Sequence, residues 1–121
     1  MSDYDKGMAK RREVLGDDHV DRATANTTDL DRDFQTWVTE KVWGDLWNRP
    51  GLGIRDRSLV TIAILAALGH DEVALHLNAA HNTGVTPEEI GEVLLHVATY
   101  AGVPAANHAF AIFKATYSEE K

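Results

Sequence analysis

The sequence predicts an all-α fold of about six helices, and three observations carry that reading. Apolar residues recur at three- and four-residue spacing along most of the chain. No run alternates apolar and polar residues as a half-buried strand does, and the breaks in the pattern fall at glycine and proline. The 121 residues suffice for one modest domain, and a hydrophobic content of 44% suffices for its core. Aromatic residues make up only 7% and alanine is abundant, which suits close helix packing.

The elements follow in order. A first helix is predicted from Tyr4 to Leu15, stopped by Gly16. Residues 17–30 are polar, rich in Asp and Thr, and read as a loop, so that about residues 1–30 form an N-terminal helical arm. A second helix runs from about Asp31 to Trp47, with Phe34, Val38, Val42 and Leu46 on one stripe, and the segment NRPGLG (48–53) breaks it. The third, about Ile54 to Leu68, is apolar nearly all round after Ser58. Such a helix must be covered on several sides, and a chain this small has few elements to cover it, so subunit association is expected. A fourth helix, about Asp71 to Thr83, ends at Gly84. Thr86, Pro87 and Glu89 then spell a capping box with proline at the first helical position, and Val85 and Ile90 are spaced as a hydrophobic staple. That fifth helix places Ile90, Val93, Leu94, Val97 and Ala101 on one face. Gly102-Val103-Pro104 ends it and opens a sixth with Ala106, Phe110 and Phe113 inward.

Composition closes several chemistries. There is no cysteine, hence no disulfide, thiolate nucleophile, thiol redox cycle or zinc–thiolate site. A net charge of -7 argues against nucleic acid as a partner. It also sets a problem for any anionic substrate, which a local positive cluster must overcome. Arg49, Arg55 and Arg57, opposed by Asp56, form such a window. The opening residues lack an apolar stretch after their basic residues, and the longest nearly apolar run, Leu59–Leu68, is too short to span a bilayer, so a soluble cytoplasmic protein is expected, without membrane association.

No dinucleotide fingerprint, phosphate-binding loop or nucleophile elbow occurs, and no cofactor is expected. The candidates for chemistry are therefore His, Glu, Asp, Arg and Tyr. Glu72 and His76 stand four apart on one helix face. As a pair of metal ligands they lack any supporting cluster, so no metal is expected. His76 has Val73, Leu77 and Ala80 as neighbours at the edge of the buried stripe. It reads either as a hydrogen-bonded core histidine or as a general acid held by Glu72. His96, four residues after Glu92, reads as a solvated surface residue. Glu40 shares a face with Trp43 and Trp47. It is either a solvated helix carboxylate or a carboxyl whose aromatic surroundings suit it to acid–base work. Arg55 reads as a surface residue. Arg49, in the Pro/Gly break, and Arg57, opening an apolar helix, can aim planar forks at carboxylates.

Three stretches carry a resemblance. WGDLWNRPGLGIRDRSLVTIA (43–63), ALHLNAAHNTGVTPEEI (74–90) and EVLLHVATYAGVPAA (92–106) resemble, in order and spacing, the carboxymuconolactone decarboxylase family. GMAKRREVLGDDHVDRA (7–23) is similar to the N-terminal portion of its lactone-decarboxylating members. The resemblance covers nearly the whole chain and implies a single domain over residues 1–121 with an AhpD-like helical fold, assembled as a homo-oligomer, a trimer or hexamer. The superfamily's alkylhydroperoxidase branch uses a C-x-x-C pair with three residues between the second cysteine and a histidine. Counted back from His76, those positions hold Gly69 and Glu72, so a thiol peroxidase mechanism is closed here.

The resemblance implies decarboxylation of 4-carboxymuconolactone to 3-oxoadipate enol-lactone, in the protocatechuate branch of the β-ketoadipate pathway. The partner is then a small lactone di-acid. Chemistry of that kind asks for cations to hold the spectator carboxylate and polarise the lactone, assigned to Arg49 and Arg57. It asks for a dry wall, assigned to Trp43 and Trp47. It asks for a proton donor, assigned to His76 oriented by Glu72, with Glu40 as second choice. Two alternatives stand beside this: a decarboxylase of a related lactone or β-keto acid, and a non-catalytic helical oligomer.

Overall fold

The computed structural model describes residues 2–118. Among them there are seven α-helices, a π-helical turn and a 3₁₀ turn, and no strand. Two compact units divide the chain, Met1–Ile54 and Arg55–Lys121.

In the first unit, α1 (Asp3–Leu15) starts where the Ser2 side chain accepts a hydrogen bond from the Asp5 amide at 3.1 Å, with Asp3 and Asp5 in the favourable first turn. Gly16 ends it at φ 90°, a left-handed conformation that favours glycine. A second helix, α2 (Asp17–Asn26), follows at once, where the polar composition predicted a loop. This is the helix that raises the number from six to seven. Its start is held by charge rather than by an apolar stripe: Arg12 of α1 reaches Asp17 at 3.1 Å and Asp21 at 2.8 Å, and Asp17 and Asp18 occupy the first turn. Val20 is the one residue of α2 that is fully buried.

The single helix predicted over 31–47 is replaced by three pieces. These are α3 (Arg32–Trp37), a π-helical turn (Val38–Trp43) and a 3₁₀ turn (Leu46–Asn48). The cause is a backbone-to-backbone approach by α1. A Cβ on Gly7 would lie 1.8 Å from the Thr39 carbonyl oxygen, and one on Gly44 would lie 2.5 Å from that of Asp3. The wider turn closes with the Gly44 amide donating to the Thr39 carbonyl at 2.9 Å, five residues back. The changed register alters which residues face inward. Trp43 and Trp47 are each 5% exposed, whereas Phe34 and Leu46 of the predicted stripe are 60% and 48% exposed.

The second unit contains α4 (Ile54–Ala67, all but its first residue), α5 (Val73–Thr83), α6 (Pro87–Ala101) and α7 (Val103–Tyr117), close to the four helices predicted. Its core is built from Ile62, Leu77, Ile90 and Leu94, all fully buried, with Ala66, Val73, Ala80 and Val97 around them. The capping box at Thr86 is fully formed: Thr86 Oγ1 accepts from the Glu89 amide at 3.1 Å, and the Glu89 carboxylate accepts from the Thr86 amide at 2.9 Å. Val85 and Ile90 are buried in the same core, as a staple requires. Gly84 closes α5 in the left-handed conformation, φ 83°. A buried bond from Thr83 Oγ1 to Ser58 Oγ, 3.0 Å, ties α5 to α4, and the Tyr117 hydroxyl donates to the Leu77 carbonyl at 2.9 Å.

Candidate active site

The residues expected to carry chemistry are distributed over both units. Glu40, Trp43, Trp47 and Arg49 lie in the first; Arg57, Glu72 and His76 lie in the second.

In the first unit, the π-helical turn presents Glu40 and Trp43, and the 3₁₀ turn presents Trp47. The two indoles stack at 5.0 Å between centroids with a 27° angle between planes, forming one buried aromatic wall. Glu40 is half-buried on the same turn as Trp43. π-helical turns are rare and recur at functional sites, because the added residue per turn re-aims side chains. Arg49 caps the 3₁₀ turn in extended conformation and is exposed, while Asn48 donates its side-chain amide to the Trp43 and Gly44 carbonyls at 3.0 and 3.1 Å and fixes the turn that precedes it.

In the second unit, Arg57 stands in the first turn of α4 and is half-buried, with its Nε wholly enclosed. His76 is 6% exposed on α5, among Val73, Leu77 and Ala80. Glu72 is the N-cap of α5 rather than part of its body, and its side chain is solvent-exposed one turn before His76. Arg55 is a surface residue as expected, ion-paired with Glu89 and Asp56. His96 stacks on Tyr100 at the surface, His81 stacks on Tyr117, and His108 meets Asp71 at 2.9 Å. Among the described residues no three His, Asp or Glu side chains cluster as metal ligands, and no helix is long and apolar enough to cross a membrane.

Sequence reasoning passed over Arg11. It stands one turn after Gly7 on α1, and its Nη1 donates to Thr39 Oγ1 of the π-helical turn at a long 3.5 Å. Burial pushes its pKa below the usual arginine value, partly offset by Tyr4. The glycine one turn earlier is the only sequence signal that α1 approaches another backbone here.

A family model for the carboxymuconolactone decarboxylase family matches residues 32–115, more than half of the chain. The chain belongs to the carboxymuconolactone decarboxylase family. Relatives extend the likeness into α1 and α2. A protein of Acinetobacter baylyi named 4-carboxymuconolactone decarboxylase is 50% identical over 107 residues, 88% of this chain and 80% of the relative. A protein of Metarhizium robertsii named nitrosuccinic acid decarboxylase is 38% identical over 117 residues, 96% of this chain and 82% of the relative. A Pseudomonas putida protein also named 4-carboxymuconolactone decarboxylase is 48% identical over 42 residues, 35% of this chain. The family's matched region takes in every residue that the sequence assigned to chemistry, from Glu40 to His76, and leaves α1, with Arg11, and α2 outside it.

Proposed function

We propose that this protein is a carboxy-lyase that converts 4-carboxymuconolactone to 3-oxoadipate enol-lactone without a cofactor, as a cytoplasmic homo-oligomer serving the protocatechuate branch of the β-ketoadipate pathway. The observation that carries the reading is 50% identity, over 88% of the chain, to a protein named for that activity. The substrate's chemistry agrees with the residues available. Its departing carboxylate is attached next to a ring double bond conjugated to the lactone carbonyl. When the C–C bond breaks, its electron pair moves through that double bond onto the carbonyl oxygen, giving CO2 and an oxyfuran-like dienolate. One proton added at the ring carbon beside the carbonyl completes the reaction. The substrate is thus its own electron sink, a part that a cofactor plays in many decarboxylases.

Arg49 and Arg57 hold the spectator carboxylate and stabilise the charge that gathers on the lactone oxygen. The stacked Trp43–Trp47 wall keeps water from the departing carboxylate. His76 delivers the proton, with Glu72 orienting it and Glu40 as the second candidate donor. Burial of His76 in the α5 stripe suits a proton donor that must be shielded from bulk water. An exposed Arg49 on a short turn suits a cation that meets a charged substrate at the entrance. The oligomer is supported by α4 and α6. Val60, Ile64, Leu68, Leu95 and Tyr100 are 47%, 52%, 65%, 55% and 81% exposed, and an apolar groove runs between these helices within one unit.

The test is to supply 4-carboxymuconolactone to purified protein and follow CO2 release with loss of the substrate's ultraviolet absorbance. His76→Ala and Arg49→Ala are expected to lower kcat/KM by at least about a hundredfold. Near-wild-type turnover in either variant removes that residue from the mechanism. The relative named nitrosuccinic acid decarboxylase favours a second reading, in which the substrate is another di-acid with a built-in electron sink, here a nitro group. Turnover of nitrosuccinate and none of the lactone would replace the first reading by the second.

A further inference from the structure

The first unit contains a cavity of about 440 Å3 whose wall includes Tyr4, Arg11, Thr24, Arg32, Gln35 and Thr36, and no lining residue is acidic. In a chain of net charge -7 a partly open recess with two arginines and no carboxylate in its wall is out of keeping with the whole. Arg32 at the rim is already committed, paired with the exposed Asp29. Arg11 is not. Its Nε is buried without a hydrogen-bond partner, and the long bond from Nη1 to Thr39 Oγ1 is the one contact made by its five donors. Thr39 Oγ1 accepts that long bond while its own hydroxyl proton goes to the Gln35 carbonyl at 2.8 Å. The buried Nε–H of Arg11 therefore has nothing to accept its proton, a cost that an arriving acceptor would relieve.

We propose that this cavity binds a small organic carboxylate, with Arg11 as the charge that receives it and the threonine, glutamine and tyrosine side chains of the wall supplying neutral hydrogen bonds. The planar fork of arginine matches a carboxylate, and the mixed wall, with Tyr4 and Met8 beside the hydroxyls, is roomier and less polar than an inorganic anion requires. The residues involved are none of those assigned to decarboxylation, so the proposal stands or falls independently of that reading.

The test uses the whole folded protein, 15N-labelled, with the Arg11 Nε–H resonance as reporter. Sodium succinate is titrated against sodium chloride and sodium phosphate at matched ionic strength. The expected result is a saturable shift at millimolar succinate that chloride does not reproduce and phosphate reproduces more weakly. Succinate affinity measured by calorimetry should fall at least tenfold in Arg11→Lys. An unmoved resonance, or an equal response to all three anions, overturns the site, and a stronger response to phosphate overturns the carboxylate assignment. Should Arg11→Lys fail to fold, Thr36→Val takes its place: a severalfold loss of succinate affinity supports the cavity, and unchanged affinity overturns it.

Discussion

Gly7→Ala and Gly91→Ala make the same chemical change on two helices, and the structure demands opposite outcomes. A carbon and a carbonyl oxygen rarely approach closer than about 3.3 Å, yet a Cβ on Gly7 would sit 1.8 Å from the Thr39 oxygen and 2.8 Å from its carbon. The obstacle is backbone, so no side-chain rotation relieves it, and α1 must withdraw from the π-helical turn by about 1.5 Å. Overpacking of this kind costs up to about 3 kcal/mol, and the helix preference of alanine returns about 1 kcal/mol, leaving a net loss near 2 kcal/mol. A Cβ on Gly91, inside α6, meets nothing within 4 Å, so there alanine contributes about 0.5–1 kcal/mol. For a 121-residue chain 1 kcal/mol corresponds to about 4 °C of melting temperature. Far-UV melts at one fixed protein concentration should therefore place Gly7→Ala about 8 °C below wild type and Gly91→Ala about 2–4 °C above it. A Gly7→Ala protein that melts with wild type, or two variants that shift alike, would refute the close-approach account. Because that turn carries Glu40 and Trp43, Gly7→Ala should also lower kcat at temperatures where it remains folded.

Other outcomes follow from the same geometry. Thr83→Val leaves the Ser58 hydroxyl buried without its 3.0 Å partner and should cost about 1–3 kcal/mol in denaturant unfolding; adding Ser58→Ala should recover part of it, and no recovery would assign the loss to packing instead. Ile64→Glu puts a charge in the exposed apolar α4–α6 face and should lower the mass seen by sedimentation, whereas an unchanged mass would move the subunit contact elsewhere. Decarboxylation should continue after exhaustive chelation, since the substrate supplies its own electron sink; activity lost on chelation and restored by added metal would return Glu72 and His76 to the role of ligands.

The second unit was legible in the sequence, and the first only in part, for a physical reason. In α4 to α7 the elements announce themselves locally. Thr86-Pro87 with Glu89 forms the capping box that those residue types imply, and Gly84 takes the left-handed turn that stops α5. In the first unit the deciding interactions join one element to another. Nothing local to residues 17–26 shows that Arg12 will meet Asp17 and Asp21, so a polar stretch looks like a loop. Nothing local to residues 38–43 shows that Gly7 brings α1 against the Thr39 carbonyl, so a π-helical turn looks like a continuous α-helix with Phe34 and Leu46 inside. The candidate site divides in the same way. His76 was placed at the edge of the buried stripe and is buried, Trp43 and Trp47 are buried although the inward stripe was assigned to Phe34 and Leu46, and the spacing of Glu72 could not tell a helical residue from an N-cap. Arg11 was invisible because its significance lies in a cavity wall, and a cavity has no sequence period.

The positions that would bear thiols in the alkylhydroperoxidase branch show how far the local structure is fitted to other chemistry. Gly69 lies at φ 73°, in the left-handed region, in the turn after α4, where its amide donates to Ala66 and the following amide to Leu65. A cysteine there would be strained in this conformation. Glu72, at the other position, is an exposed N-cap with a carboxylate at the positive end of α5, a placement that stabilises the helix whatever its role in catalysis. In this chain the segment before His76 is an ordinary helix boundary. Peroxide reduction needs that segment to carry a two-electron couple, whereas decarboxylation of a substrate with its own sink needs only cations, a dry wall and a proton. The buried His76 that remains on α5 can serve the second set of demands without any residue at 69 or 72 changing oxidation state. On this account restoring both thiols, Gly69→Cys with Glu72→Cys, should cost stability at residue 69, and it should leave decarboxylation standing to the extent that His76 works without Glu72.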